Sequence, residues 1–304
     1  MTTFFDSITN FGGELAALGA AFLWALSAVV YAQLGQKIPP LALNLSKGAI
    51  AIALIVLTAI VQGNYLTEID AVTLGLLLLS GVCGIGLGDT FYFEALNSLG
   101  ARRTLLLEAL APPLAALIAL IFLQEALSLG SWAGIILTVL GVAWVISERV
   151  PNSASRAVNP LRGISFALLA ALGQASGAVL SRAALVETSV SPLWSTLLRL
   201  VGGVMVLLVW IPLKRQSRLW FKPLQSKRLL GIITVTALFS TYLGILLQQT
   251  ALKYTPTGIA QALIATSPLF VLPIAAWMGE AVSPRSLLGV LLALGGIWLL
   301  FTLQ

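Results

Sequence analysis

Histidine does not occur among the 304 residues, and cysteine occurs once, as Cys83 inside an apolar run. These two scarcities remove a disulfide framework, a Cys-based redox pair and a His/Cys metal cluster within one chain. Charge is scarce as well. Only 9% of the residues are charged and 59% are hydrophobic, whereas soluble domains carry roughly 25% charged residues. A water-soluble protein of this length could not hide so much apolar surface, so the bilayer is read as its solvent. Met1 to Glu14 holds Asp6 and Glu14 but no Lys or Arg. That is the wrong flank for a cleavable secretory signal, and the first apolar run is expected to stay. The net charge of +6 does not point to nucleic acid. Lys214, Arg215, Arg218, Lys222, Lys227 and Arg228 share one loop with only Trp220 and Phe221 as interleaved aromatics, and membrane topology already explains such loops.

What is present is a chain that reads twice. Pro40-Leu41 through Lys47 returns as Pro192-Leu193 through Arg199, and Ala95-Leu96 through Pro112 returns as Ala251-Leu252 through Pro268. Glu125-Ala126-Leu127-Ser128 is answered by Glu280-Ala281-Val282-Ser283, and Gly134 and Gly141 by Gly289 and Gly296. The offset is roughly 155 residues, so one unit of half the chain has been duplicated. A ruler of about 20 apolar residues per crossing divides the chain into ten segments. They lie near 13–34, 40–61, 71–95, 101–123, 130–147, 162–184, 192–213, 228–251, 256–278 and 285–302. Very short turns around Glu125 and Glu280 predict tight helical hairpins.

The expected fold is an all-α integral membrane protein of ten transmembrane helices. Residues 1–150 form a first five-helix repeat, 151–161 a linker with Pro151 and Pro160 at its ends, and 162–304 a second repeat. Five crossings per unit force the second copy to enter the membrane upside down. Two inverted repeats around a central cavity are the architecture of alternating-access carriers. Most of the 17 basic residues fall in loops on the face opposite the termini. The positive-inside rule therefore places that face in the cytoplasm and both termini outside.

A charge near mid-bilayer costs at least about 2.5–3.5 kcal/mol, so each one needs a reason. Lys47, Asp89 and Glu108 come from three helices yet share one depth, each roughly 10 Å from the basic face at 1.5 Å per residue. Lys47 can neutralise one acid or snorkel outward. With one base and two acids, a carboxylate is left to accept a proton and couple it to transport. Arg199 is the counterpart of Lys47, roughly 10 Å from the other face. Segments six to ten hold no Asp or Glu between their ends, and its expected neighbours are Tyr242, Gln248 and Gln261. An unpaired guanidinium facing a cavity would hold a substrate carboxylate or phosphate; the alternative is a guanidinium that snorkels or binds backbone carbonyls.

Pro112-Pro113 and Pro268 interrupt segments four and nine at matching places, and proline frees a carbonyl that must find a partner or line a wet cavity. Gly81, Gly84, Gly86 and Gly88, with Gly173 and Gly177, would let segments three and six approach closely. Trp24, Ser27 and Tyr31 lie three and four residues apart on one helical face, a stripe able to line a pocket. Trp144, Trp210, Trp220 and Trp298 look like interfacial anchors.

The run Phe91-Tyr92-Phe93-Glu94-Ala95-Leu96-Asn97-Ser98-Leu99-Gly100-Ala101, with Leu105 to Pro112 and Gln124-Glu125-Ala126-Leu127-Ser128, resembles the EamA-type drug/metabolite transporter superfamily. Its second copy, Ala251-Leu252-Lys253-Tyr254-Thr255-Pro256-Thr257 through Ser267-Pro268 to Gly279-Glu280, is closer still. The resemblance implies ten helices in two inverted repeats and carriage of small metabolites, often export of amino acids or related compounds. It makes Trp24, Tyr31, Asp89, Glu108, Gln174, Tyr242, Gln248 and Gln261 candidates for the cavity; Ser27, Lys47, Tyr92 and Arg199 complete the expected substrate-binding set. Two departures stand out. Gln124-Glu125 replaces the usual Gly-Glu, and the loop between helices two and three holds Glu68 and Asp70 where relatives often have basic residues.

The expected function is a carrier of small polar metabolites, proton-coupled or facilitative, in the plasma (inner) membrane. The expected partners are a small-molecule substrate, the lipid bilayer and, if coupled, protons; no cofactor or metal is implied, and the chain is a monomer or homodimer. The alternatives are a nucleotide-sugar or sugar-phosphate exchanger and, from another class, a passive channel or lipid scramblase. Against an intramembrane hydrolase, the absent histidine, the lone Cys83 and the lack of a Gly-x-Ser-x-Gly elbow argue against nucleophilic and metal catalysis. Asp89 with Glu108 would only weakly imitate an aspartyl dyad.

Overall fold

The computed structural model describes residues 11–35, 38–63, 68–99, 101–147, 160–186, 188–213, 225–277 and 284–302, and these are all helical or in short connections. Residues 151–159 of the expected linker, Glu280 and residues 214–224 of the basic loop lie outside the described residues; Pro160 and Leu161, expected to close the linker, instead open a helix, where a proline in the first turn needs no N–H. Among the described residues the helical segments, with consecutive pieces sharing a label, are α1 (Gly12–Gly35), α2 (Pro40–Val61), α3 (Ala71–Gly81, Val82–Gly88 and Asp89–Leu99), α4 (Ala101–Glu108 and Ala111–Phe122), α5 (Leu129–Ser147), α6 (Pro160–Leu185), α7 (Pro192–Trp210), α8 (Lys227–Ala237, Leu238–Leu243 and Gly244–Tyr254), α9 (Thr257–Ile264 and Ser267–Trp277) and α10 (Pro284–Thr302). Those long and apolar enough to cross a membrane are α2 to α8 and α10; Gly12–Ser27 and Thr257–Pro273 are shorter apolar helices.

Local chemistry starts and stops these helices. Pro40 and Pro192 occupy the first turns of α2 and α7, where a missing N–H costs nothing. Asp70 caps α3 by accepting the Val72 and Thr73 amides at 2.9 and 3.0 Å. Those two hydrogen bonds, the one to Thr73 foremost, hold the Asp70 carboxyl below its ordinary pKa. Gly63 ends α2 at φ +60°, a left-handed turn that disfavours any side chain.

The burial pattern is inside out relative to a soluble protein. Ala17, Ala20, Ala167, Ala170, Ala171 and Ala260 are fully buried, whereas Val61, Phe122 and Leu129 are 77%, 75% and 89% exposed. Large apolar side chains face lipid, and small residues let the backbones close up. The seam between α5 and α10 is built of Gly134 and Gly141 against Gly289 and Gly296. A Cβ on Gly296 would stand 2.5 Å from the Thr138 backbone nitrogen. Between α3 and α6, a Cβ on Gly177 would meet the Ser80 carbonyl at 3.0 Å and Gly84 Cα at 3.1 Å.

Contacts follow an exchange rule. Helix α3 packs on α6 as α8 packs on α1; α3 on α7 as α8 on α2; α4 on α6 as α9 on α1. The pairs α4–α9, α5–α10 and α2–α7 map onto themselves when each helix is swapped for the one five places away.

Helices α3 and α8 are not regular throughout. Each contains a π-helical stretch, Val82–Gly88 in α3 and Leu238–Leu243 in α8. Such widened turns are rare and gather at functional sites. Helices α4 and α9 break outright after Glu108 and Ile264, and resume at Ala111 and Ser267. Pro112 and Pro268 thus sit in the first turn of a new helical piece. Tight bonds bridge the breaks, from the Leu110 amide to the Leu107 carbonyl at 3.1 Å and from Thr266 to Leu263 at 3.2 Å.

Candidate functional site

Charged side chains meet where the π stretch of α3 passes α2, α6 and α7. Lys47 Nζ donates to Asp89 Oδ2 at 3.0 Å, and the two side chains remain 14% and 20% exposed. The ammonium lies 5.7 Å from the ring centres of both Tyr31 and Phe93, close enough for cation–π attraction. The other Asp89 oxygen accepts from Gln174 Nε2 at 3.0 Å, and the same amide reaches the Gly84 carbonyl at 3.3 Å. Asp89 follows directly on the π stretch, which supplies the carbonyl that Gln174 shares.

On the other flank of Gly84 lies Arg199, 1% exposed. Its Nη1 donates to Gln248 Oε1 at 3.2 Å and to Ser181 Oγ at 3.4 Å. Its Nε is buried with no hydrogen-bond partner among the described residues. Ser181 pairs in turn with Ser80 Oγ at 2.7 Å, and Ser80 donates to the Gly177 carbonyl at 2.7 Å. Gly84 is the pivot of the two groups. A Cβ there would stand 2.7 Å from Arg199 Nη2 and 3.8 Å from Gln174 Oε1. One polar track therefore runs Lys47–Asp89–Gln174–Arg199–Gln248 through helices that are otherwise apolar.

An acid that acts on Arg199 comes from the first half of the chain. Asp89 interacts electrostatically with Arg199 as well as with Lys47. Reading segments six to ten alone could not reveal that. Of the three neighbours expected for Arg199, Gln248 is present. Tyr242 instead shares a hydrogen bond with Thr58 Oγ1 at 3.1 Å. Gln261 is buried on α9, its Nε2 unpartnered.

Glu108, the last residue before the α4 break, has a buried Oε1 with no hydrogen-bond partner among the described residues. It lies within electrostatic reach of Asp89 and Tyr92, while Lys47 is taken by Asp89. The stripe on α1 faces the second π stretch. Trp24 Nε1 donates to the Ser240 carbonyl at 2.8 Å, and Tyr31 OH meets Ser240 Oγ at 2.7 Å. Ser27 turns back on its own helix, donating to the Leu23 carbonyl at 2.8 Å.

Sequence reasoning missed a second charged assembly at the ends of α8 and α9. Arg182 Nε pairs with Glu125 Oε1, and Arg182 Nη1 donates to the Leu252 and Lys253 carbonyls at 2.9 and 2.8 Å. Glu125 Oε2 accepts the Thr257 amide at 2.8 Å, and Lys253 Nζ reaches the Val190 carbonyl at 2.6 Å. A cation thus caps the end of α8 and an anion the start of α9, as the helix dipoles favour. The only sequence signal was Glu125 itself, in a loop too short to leave it free.

Comparison with known proteins fits this architecture. The model of the EamA-like transporter family matches residues 11–147 and again residues 161–302. A solved crystal structure of a chain 18% identical superposes with a TM-score of 0.77, over 96% of this chain and 97% of its own; that likeness concerns the fold alone. No curated protein matches the chain in sequence.

Proposed function

The chain belongs to the EamA-like transporter family, and from that premise we propose that it carries a small polar metabolite across the membrane by alternating access. It is a multi-pass membrane transporter and not an enzyme. The polar track is the observation that carries the finer reading. An Asp, a buried Arg with a spare N–H and three amides or hydroxyls converge beside the π stretch of α3. Elsewhere in a bilayer such groups would be costly. A solute with a carboxylate would meet Arg199, and its ammonium would compete with Lys47 for Asp89, so zwitterions such as amino acids or related compounds suit the track, with export as the proposed direction.

The double family match and the exchange rule in helix contacts support ten crossings in two inverted halves, rocking about this site. The breaks in α4 and α9 would supply the flexible walls. Glu108 is the proposed proton carrier, since Asp89 is already engaged by Lys47 and Gln174 while Glu108 has a bare buried oxygen. The excess of Lys and Arg on one face supports a plasma (inner) membrane protein with both termini outside. A spare Arg199 N–H also favours a phosphate-bearing substrate. Lys47 is committed to Asp89, however, which leaves one cation rather than two for a sugar phosphate.

Proteoliposomes test the reading. Saturable uptake with trans-stimulation by preloaded amino acids is expected. Flux that rises linearly without trans-stimulation would make the protein a channel or scramblase, and trans-stimulation by sugar phosphates alone would favour the exchanger.

A further inference from the structure

On the face of α3 and α7 away from the polar track lies an apolar trough of about 540 Å³, lined by Leu87, Met205, Val206, Val209 and Trp210. Hydrocarbon would fill any such trough in a bilayer; this one is distinguished by its head. Trp210 also borders a second pocket of about 110 Å³, whose walls include Thr90, Glu94, Arg162 and Phe166. Arg162 and Glu94 approach to 4.0 Å with side chains 62% and 46% exposed, beyond the roughly 2.7–3.2 Å of a made hydrogen bond. Each therefore retains hydrogen-bonding capacity toward a third group.

An aromatic row holds the head in place. The Arg162 guanidinium lies 5.3 Å over the Phe166 ring, Phe166 stacks on Phe91 at 5.8 Å, and Phe91 meets Trp210 edge-on at 6.5 Å. Arg162 belongs to the first turn of α6 and Trp210 to the last of α7. Arg and Trp at helix ends mark the level of lipid headgroups. An isolated cation and anion side by side above a hydrocarbon trough complement one kind of molecule: an amphiphile with adjacent anionic and cationic groups at its polar end.

We infer that this surface is a binding site for a zwitterionic, amine-bearing phospholipid of the phosphatidylethanolamine type. The phosphate sits on Arg162, the primary ammonium on Glu94, and one acyl chain lies in the trough below Trp210. A choline headgroup has no N–H to donate to Glu94, and an anionic glycerol headgroup meets a carboxylate there instead of a partner.

The test uses delipidated, detergent-solubilised protein titrated with phosphatidylethanolamine, phosphatidylcholine or phosphatidylglycerol. Retained lipid is read by native mass spectrometry and thermal stability alongside. Phosphatidylethanolamine is expected to bind about tenfold more tightly than the other two and to raise the melting midpoint most. Arg162→Gln, at an exposed position, and Glu94→Gln, at a half-buried one, should each erase that preference. Val209→Trp, at a 71% exposed position, should fill the trough and lower retention of all three lipids. Equal retention of the three by the wild type, or an unchanged preference in Arg162→Gln, overturns the proposal. So does concentration-dependent dimerisation abolished by Val209→Trp without loss of lipid, which would assign the face to a second copy of the chain.

Discussion

Replacing Glu125 with alanine removes one carboxylate and leaves two groups, the Arg182 guanidinium and the Thr257 amide, to find new partners. Arg182 loses the acceptor for its Nε, the start of α9 loses the acceptor for the Thr257 amide, and the charge of Arg182 loses its counter-ion. The pair is only 13% and 15% exposed. Breaking a buried ion pair from one side costs about 3–5 kcal/mol because the survivor stays desolvated. Residual exposure puts this pair at the lower edge, about 3 kcal/mol. Part of the guanidinium remains satisfied, since Nη1 keeps the Leu252 and Lys253 carbonyls. Glu125→Gln retains a neutral acceptor and should cost less, about 1–1.5 kcal/mol. Reversible unfolding in mixed micelles, followed by tryptophan fluorescence, reads both values. A double-mutant cycle with Arg182→Ala should return a coupling of at least about 1.5 kcal/mol. If Glu125→Ala stays within about 0.5 kcal/mol of the wild type, the strut does not hold the ends of α8 and α9 together and the reasoning fails.

Glu108→Gln should abolish uptake driven by a pH gradient while sparing trans-stimulated exchange; unchanged pH-driven uptake would assign the proton elsewhere. Arg199→Gln should weaken substrates bearing a carboxylate or phosphate by roughly tenfold or more, the loss expected for a charge-assisted bond, and leave substrates lacking an anion unaffected. An equal loss for all substrates would mark Arg199 as purely structural. Asp70 adds a pH signature at the start of α3. Because its folded-state carboxyl is held low by the Thr73 and Val72 amides, its stabilisation is present above the unfolded-state range and fades as pH falls through the lower folded value. Asp70→Ala should flatten that acid limb in pH-dependent unfolding curves; an unaltered limb would show that the cap is not populated.

What could be read from the chain alone was local or periodic. Apolar runs of spanning length, Pro112 and Pro268 at helix breaks, Pro40 and Pro192 at helix starts, and the duplicated motifs all lie within short windows or a fixed offset. Hydropathy and proline chemistry act there without reference to the rest of the fold. Depth along a helix was legible too, because rise per residue is constant, and it brought Lys47 and Asp89 to one level. Partner choice was not legible. It depends on how each helix is rotated about its own axis and how closely neighbours approach, and both are sums over many small contacts. The choice of Asp89 for Lys47 and Gln174, the burial of Arg199 against Ser181 and Gln248, and the grip of Arg182 on Glu125 belong to the tertiary structure. So do the π stretches at Val82–Gly88 and Leu238–Leu243. A widened turn leaves no hydropathy signal of its own and persists where neighbouring helices supply partners for the carbonyls it exposes, as Gln174 does for Gly84 and Trp24 for Ser240.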